Sequence, residues 1–185
     1  MEIKEIEKTE VLKGGEFLVK ETNANDVFIR EEFGEEQMMM LNATEEFSKI
    51  EIKPNIMRFE EKDYALVESL MRKAGQLGLL AVSIPEKYHG LGMGFNTGML
   101  ICEEISSLTG SLATAFGAHT GIGTLPILLY GTEEQKNYYL PKISSGEWIS
   151  CYNLTEPDAG SDANSGKTKA VLTSDGEHYE ITGQK

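Results

Sequence analysis

The apolar residues of this chain change their spacing near Trp148. Before that point they recur every three or four residues, as in a helix predicted to begin at Glu35. The apolar positions of that helix are Met40, Ala43, Phe47 and Ile50. After that point, three segments alternate or are rich in β-branched residues: EWISCYNL, KTKAVLTS and HYEITGQK. The sequence therefore predicts the α+β class, with an all-helical domain followed by the beginning of an antiparallel β domain.

This pattern divides the chain into three regions. Residues 1–34 are polar and weakly patterned, and we expect an extended arm with a short strand or hairpin at Glu16–Lys20. Residues 35–147 are the predicted helical domain, and residues 148–185 the incomplete start of the β domain. Three short strands make a poor sheet alone, so we expect the chain to stop inside that domain.

Several helix ends have recognisable capping residues. Asp63 is predicted to cap a helix that ends near Gly78, and a third helix is predicted from about Asn96 to Leu108. The TEEQ sequence at 132–135 forms a capping box at the start of the last helix. The segment GSLATAFGAHTGIGTLPILLYG is apolar nearly all round, which predicts a helix buried on most sides.

Composition excludes several classes of function. The chain has 185 residues and a formal net charge of -13, which argues against nucleic-acid binding and against docking on an anionic membrane. We recognise neither a signal peptide nor an apolar run near the ~20 residues that span a bilayer. Cys102 and Cys151 are interpreted as small core residues, and the three histidines are scattered, so no metal site is predicted. The default compartment is the cytoplasm.

Two glycine-containing segments are candidates for ligand binding. GLGMG at 90–94 follows Pro85 and charged residues instead of a buried strand, so we interpret it as a turn and not as a dinucleotide fingerprint. In YNLTEPDAGSD, Gly160 permits close approach of a ligand, and consecutive amides can hold an anion. Asp158 and Asp162 would repel a phosphate unless their carboxylates turn away. These residues alone leave open an ordinary loop or a ligand-binding loop.

The segment YNLTEPDAGSDA resembles the flavin-binding signature of the acyl-CoA dehydrogenase family. Three other segments resemble that family in the same order: LGLLAVSIPEKYHGLGMG, YGTEEQKNYYLPKISSGEW and HYEITGQK. The resemblance covers roughly Phe33 to Lys185, with His89 at a position where the family usually has glycine. The stretch AHTGIGTLPILLYGT is most similar to the long-chain and very-long-chain branch.

This resemblance implies a fold in which a helical domain, a middle β domain and a C-terminal helical bundle enclose FAD and a fatty acyl-CoA. It implies a dehydrogenase in which a glutamate removes the α-proton and the β-hydride passes to the flavin, which gives a trans-2-enoyl-CoA. That glutamate is expected beyond Lys185, so no catalytic residue is assigned in this chain. An electron-transfer flavoprotein or similar acceptor, and homo-oligomerisation, are implied for the whole protein.

The resemblance also implies the cofactor-binding residues. Thr155 would donate to the edge of the isoalloxazine ring through its amide and hydroxyl, and Ser161 would lie near both the flavin and the substrate thioester. Glu156 is expected to brace the turn rather than to act in catalysis. The residues implied to line FAD are Tyr152, Asn153, Leu154, Thr155, Glu156, Pro157, Asp158, Ala159, Gly160 and Ser161.

Two other functions are kept as alternatives. A short helical module of this kind could bind partners through its exposed apolar faces without any catalysis. A flavoprotein of related fold could instead be an oxidase or a monooxygenase. The acyl-chain length is left open, because part of the expected pocket lies outside this sequence.

Overall fold

The computed structural model describes Leu12 and residues 14–185. Along the chain, the helices come first and the strands come last. The α-helices of the described part are α1 (Glu35–Phe47), α2 (Ile56–Glu60), α3 (Tyr64–Gln76), α4 (Phe95–Leu108), α5 (Gly110–Gly117), α6 (Leu125–Tyr130) and α7 (Glu133–Ser144). Two strands follow, β1 (Lys169–Leu172) and β2 (Tyr179–Thr182). A helical N-terminal domain followed by a short antiparallel sheet confirms the predicted fold class.

The start of the described chain differs from the prediction. Glu16–Leu18 is a single 3₁₀ turn, so the strand or hairpin predicted at Glu16–Lys20 is wrong. The Lys20 ammonium lies 2.6 Å from the Glu16 carboxylate, a pairing of residues four apart that favours a helical turn over a strand. Residues 1–11 and 13 of the predicted arm lie outside the described residues.

Helix α1 begins at Glu35 as predicted, but its apolar face is only partly the predicted one. Phe47 is buried, whereas Ile50 is 59% exposed. After Phe47 the chain continues through a π-helical turn, Ser48–Ile52. Because a π turn accommodates an extra residue, it rotates the side chains that follow, and Ile52 takes the core position predicted for Ile50.

The capping predictions for α3 and α7 are confirmed. The Asp63 carboxylate accepts the Leu66 amide at 3.0 Å, and Gly78 follows the helix with a φ of +77°. At α7, the Thr132 hydroxyl accepts the Gln135 amide and the Gln135 side chain accepts the Thr132 amide. The N-terminal caps satisfy amide donors that the helix leaves unpaired. At the end of α3, the turn at Gly78 lets the Leu79 amide donate to the Ala74 carbonyl.

The main core lies between α1, α3, α4 and α5. Its fully or nearly fully buried side chains include Phe47, Ile52, Leu70, Met71, Ile101, Ile105, Leu112 and Phe116. Burial of each large side chain stabilises the fold by about 1.5–3 kcal/mol relative to exposure. A smaller cluster of Ile84, Tyr88 and Leu140 joins the loop after α3 to helix α7.

The glycine segment 90–94 is a turn between α3 and α4, as predicted. The amides of Gly92 and Met93 donate to the carbonyls of Ile84 and Val82 at 2.8 Å each. A Cβ on Gly90 would lie 2.5 Å from the Cβ of Ile84 and closer still to its carbonyl, so only glycine fits there. His89 has a φ of +64°, which explains why glycine would also suit that position.

The apolar segment between α4 and α7 is more exposed than predicted. Helices α5 and α6 are joined by a second π-helical turn, Ala118–Gly123, and the helical segment Gly110–Tyr130 has 21 residues. By length and composition alone it could cross a membrane, contrary to the expectation from the sequence, although the core helices of soluble proteins pass the same test. Leu129 and Tyr130 are exposed because the described residues cover only one side of this segment.

The β structure is smaller than predicted. Strands β1 and β2 pair with Lys169 opposite Thr182, and the turn between them contains Gly176 at φ +74°. EWISCYNL was predicted as a third strand but pairs with no strand in the described part of the chain. The prediction that both cysteines are core residues is therefore wrong for Cys151, which is exposed; Cys102 is half-buried.

Candidate functional site

The predicted ligand loop is organised around a four-residue turn. The Glu156 and Ala159 backbones exchange two hydrogen bonds, at 3.0 and 3.1 Å, with Pro157 and Asp158 between them. Proline suits the second position of such a turn because its φ is already fixed. Glu156 and Ala159 are buried, while the residues on either side of them are exposed. The turn therefore presents its flanking backbone to solvent.

The carboxylate of Glu156 braces this turn from within. It accepts the backbone amides of Lys167 and Thr168, and the Lys185 ammonium lies 2.9 Å from it. The Lys185 contact, followed by the Lys167 amide, lowers the pKa of Glu156 from 4.5 to about 2. The carboxylate is therefore ionised at neutral pH, and it points towards the protein instead of towards a ligand.

The Asp158 side chain is also paired with a lysine. The Lys167 ammonium lies 2.6 Å from the Asp158 carboxylate. Sequence reasoning required that this carboxylate turn away from a bound phosphate, and its pairing with Lys167 supplies a compensating positive charge. Both side chains are exposed, so the pair adds little stability and chiefly sets the local charge.

Unused hydrogen-bond donors flank the turn. Within the described residues, the amides of Leu154, Thr155, Gly160 and Ser161 and the hydroxyls of Thr155 and Ser161 have no protein partner. The Leu154 carbonyl accepts Lys185 Nζ at 3.1 Å. Exposed, unpaired amides next to a rigid turn are suited to bind the polar edge of a ring or an anion. These residues fit a flavin in their chemistry.

A buried histidine joins the helices to this loop. His119, in the π turn after α5, places Nε2 3.1 Å from the Ile143 carbonyl and Nδ1 3.1 Å from the Ser150 amide. Burial lowers the pKa of His119, although its bond to Ile143 opposes this. The Thr124 hydroxyl lies 3.4 Å from the Ser150 hydroxyl. Ser150, two residues before Tyr152, is thus held against the helical domain.

An apolar cavity of about 290 Å³ opens beside that contact. Its walls come from the segment after α3, from α4 and from the chain between α5 and α6; among the described residues that line it, none is charged. Gly117 and Gly121 line it, and a Cβ built on either would meet nothing within 4 Å. Thr124 belongs both to the cavity wall and to the contact with Ser150. The cavity therefore lies beside Ser150, two residues before the loop begins.

Sequence reasoning missed three of these features. His119 was treated as one of three scattered histidines, Lys185 was given no role, and the cavity was not anticipated. The small residues in GAHTGIG were the available signal for the cavity, because glycine leaves space along a helix. Within the described ranges, no group of three or more His, Cys, Asp or Glu residues is placed to hold a metal ion.

Comparison with known proteins decides the family. Residues 34–147 match the family described as "Acyl-CoA dehydrogenase, N-terminal domain". The chain belongs to the acyl-CoA dehydrogenase family. The family resemblance found in the sequence is confirmed, and helices α1 to α7 all lie within the matched residues.

Individual relatives agree with this assignment. A probable acyl-CoA dehydrogenase of Bacillus subtilis is 43% identical over 176 residues, which are 95% of this chain and 30% of the relative. The mitochondrial isovaleryl-CoA dehydrogenase of Bos taurus is 34% identical over 82% of this chain and 35% of its own length. A crystal structure of an acyl-CoA dehydrogenase complexed with FAD from Bacillus anthracis superposes with a TM-score of 0.85 at 43% identity, covering 94% of this chain and 30% of that one.

The chain spans about a third of the length of these acyl-CoA dehydrogenase relatives. The bovine relative is named for isovaleryl-CoA, so membership of the long-chain branch stays a prediction. The roles assigned to Tyr152–Ser161 also stay predictions, as do the domain boundaries at residues 34 and 147.

Proposed function

We propose that this chain is the N-terminal part of an FAD-dependent acyl-CoA dehydrogenase that forms a trans-2,3 double bond in an acyl-CoA. The observation that carries the proposal is the adjacency of two features within a domain of this family. One is a loop with unpaired donors, and the other is an apolar cavity whose wall residue Thr124 contacts Ser150, two residues before that loop. A polar ring and an apolar chain could therefore be bound side by side.

In this proposal, residues 152–161 hold the flavin. Bound FAD would accept the hydride from the substrate. Thr155 donates from its amide and hydroxyl to the polar edge of the ring, where fixed donors stabilise developing negative charge. Ser161 lies where flavin and thioester come together. Glu156 holds the turn in place, and the proton-abstracting glutamate is supplied by a part of the protein beyond Lys185.

The acyl chain occupies the cavity between α4 and the α5–α6 segment. The absence of charge among its described lining residues suits an alkyl chain, which gains about 0.8 kcal/mol for each buried methylene. Gly117 and Gly121 leave the wall open, so we propose that long acyl chains are accepted. An electron-transfer flavoprotein as acceptor, a homo-oligomeric enzyme, a role in fatty-acid β-oxidation and a cytoplasmic location complete the proposal.

The test of this function uses the full-length protein. Its flavin content is measured after purification, and a panel of acyl-CoAs of increasing chain length is assayed with an artificial electron acceptor. We expect stoichiometric FAD and oxidation of at least one acyl-CoA to its 2-enoyl product. A protein that binds no flavin would support the non-catalytic interaction module, whereas hydrogen peroxide or an oxygenated product would indicate the oxidase or monooxygenase alternative.

We predict that Thr155→Val lowers turnover of the complete enzyme by about tenfold or more. The substitution keeps the side-chain shape but removes a hydroxyl donor, and a hydrogen bond to a charge-developing group contributes about 1.5–3 kcal/mol. FAD should largely stay bound, because the other contacts of the loop are retained. Steady-state kinetics and the flavin absorbance spectrum measure both quantities.

Thr155→Ser is the matched control for this prediction, since it restores the hydroxyl and should restore most of the turnover. If the valine variant had wild-type turnover and an unchanged flavin spectrum, Thr155 would not face the flavin.

We predict that Gly121→Leu shifts the enzyme towards shorter acyl chains. Gly121 lines the cavity and nothing lies within 4 Å of an added Cβ, so we expect the new side chain to occupy cavity space and displace about four methylenes of substrate, at about 0.8 kcal/mol each. The ratio of kcat/KM for long to short acyl-CoAs should fall by about two-hundredfold. Gly110→Leu is the control, because Gly110 also has open space around it but does not line the cavity. Equal chain-length profiles for the two variants would place the acyl chain elsewhere.

A further inference from the structure

His119 uses both ring nitrogens on backbone groups that are far from it in sequence. The ring is fully buried; one nitrogen contacts the Ile143 carbonyl near the end of α7, and the other contacts the Ser150 amide. The Ser150 hydroxyl also donates to the His119 carbonyl at 3.0 Å. The π turn that contains His119 is thus joined to Ser150 by several bonds, and Ser150 leads directly into the loop.

The two partners determine where the ring proton lies. A backbone amide can only donate, so Nδ1 must accept from Ser150; a carbonyl can only accept, so Nε2 must carry the proton that is donated to Ile143. One neutral tautomer satisfies both contacts. Burial, which disfavours the charged ring, agrees with that form.

We propose that His119 is a positioning residue for the flavin-binding loop. It acts through its Nδ1 atom, which accepts a hydrogen bond from the Ser150 amide. The inference rests on the proposed function, in which Tyr152–Ser161 bind FAD. Within the described residues, Ser150–Thr155 pair with no strand. Trp148 and Leu154 are held on either side of Ser150, and the contacts of Ser150 set the direction of the chain between them. A purely structural role would instead depend on the Ile143 contact, which joins the π turn to α7.

Two substitutions separate the two contacts of the ring. The side-chain amide of asparagine reaches about as far as Nδ1, so His119→Asn keeps an acceptor for Ser150 and loses the donor to Ile143. The amide of glutamine reaches about as far as Nε2, so His119→Gln keeps the donor to Ile143 and loses the acceptor for Ser150. His119→Leu removes both. Because the two amide variants differ by one methylene, they are matched controls for each other.

The experiment measures three quantities in the full-length protein: the Kd for FAD, the exchange rate of the Ser150 amide hydrogen and the melting temperature. We expect His119→Asn to retain FAD affinity and Ser150 protection close to wild type. His119→Gln should bind FAD about tenfold more weakly and exchange the Ser150 amide at least tenfold faster, whatever its melting temperature.

Three results would overturn the inference. If both amide variants lost FAD affinity in proportion to their melting temperatures, His119 would be a structural residue only. If both variants bound FAD as the wild type does, Ser150 would not need this contact. If the wild-type protein bound no FAD at all, both the inference and the proposed function would fail. In the first two results the wild-type protein still binds FAD, so only the inference fails. Should His119→Leu fail to fold, the asparagine and glutamine pair still decides the question.

Discussion

A polypeptide of residues 1–185 alone will purify without flavin and will oxidise no acyl-CoA. Association costs about 4–15 kcal/mol before any net affinity appears. The loop offers a handful of donors, among them the amides of Thr155 and Ser161, each contributing about 1 kcal/mol. That sum does not offset the cost, because the β1–β2 sheet is exposed on both faces and encloses nothing. The FAD Kd of this polypeptide should therefore be weak or unmeasurable.

Titration of FAD into this polypeptide, with flavin fluorescence as the readout, measures the affinity, and an artificial electron acceptor measures turnover. The same assays on the full-length protein are the control. We also expect self-association on size exclusion, since Leu129, Tyr130, Val171 and Ile181 are all exposed. Tight stoichiometric binding of FAD, or any turnover, would show that residues 1–185 contain more of the site than the loop and cavity described above.

Gly75→Ala will destabilise the helical domain by about 2 kcal/mol or more. Inside a helix, alanine is favoured over glycine by about 1 kcal/mol, so propensity alone predicts the opposite sign. Packing decides the outcome, because a Cβ on Gly75 would lie 2.7 Å from the Gly146 amide nitrogen and closer still to the Ser145 carbonyl. Those are backbone atoms of the turn after α7, which cannot move aside as a side-chain end can, and overpacking of this kind costs about 1–3 kcal/mol or more.

Gly117→Ala is the matched control for Gly75→Ala. Gly117 is also helical, but nothing lies within 4 Å of its added Cβ, so the alanine variant should gain about 0.5–1 kcal/mol. Urea unfolding followed by the fluorescence of Trp148, the single tryptophan of the sequence, measures both variants. Equal changes of the same sign would mean that α3 does not approach the 145–146 turn this closely.

The features that the sequence predicted well are those encoded by a few neighbouring residues. The Asp63 cap, the 132–135 capping box and the turn at 90–94 each depend on side chains or glycines within a few positions of one another. The order of helices before strands also follows from local spacing. For these elements the chain needs no distant contact to select the conformation.

The features that the sequence did not predict depend on backbone shifts or on distant partners. The spacing of apolar residues does not reveal the two π turns. The first turn leaves Ile50 outside the core, and the second places His119 in the interior. EWISCYNL has β-forming residues but no strand to pair with among the described residues, so its prediction failed. The contact of Lys185 with Glu156 joins the last described residue to the turn, and periodicity cannot identify such a pair.

The candidate site was found more through resemblance than through physical reasoning from the residues. Composition alone left YNLTEPDAGSD between an ordinary loop and a ligand loop. The structure adds that its Thr155 and Ser161 donors are unpaired and that Glu156 turns inward. Acyl-chain length could not be predicted, because it depends on cavity depth, which is set by residues brought together from several helices.

Anaerobic titration of the full-length protein with acyl-CoA is the decisive measurement for the proposed dehydrogenase. We expect the purified protein to contain stoichiometric FAD, its oxidised-flavin absorbance to be lost as an acyl-CoA is added, and an equal amount of trans-2-enoyl-CoA to appear. A protein that contains no FAD, or whose flavin stays oxidised with acyl-CoAs of every chain length, would contradict the proposed dehydrogenase.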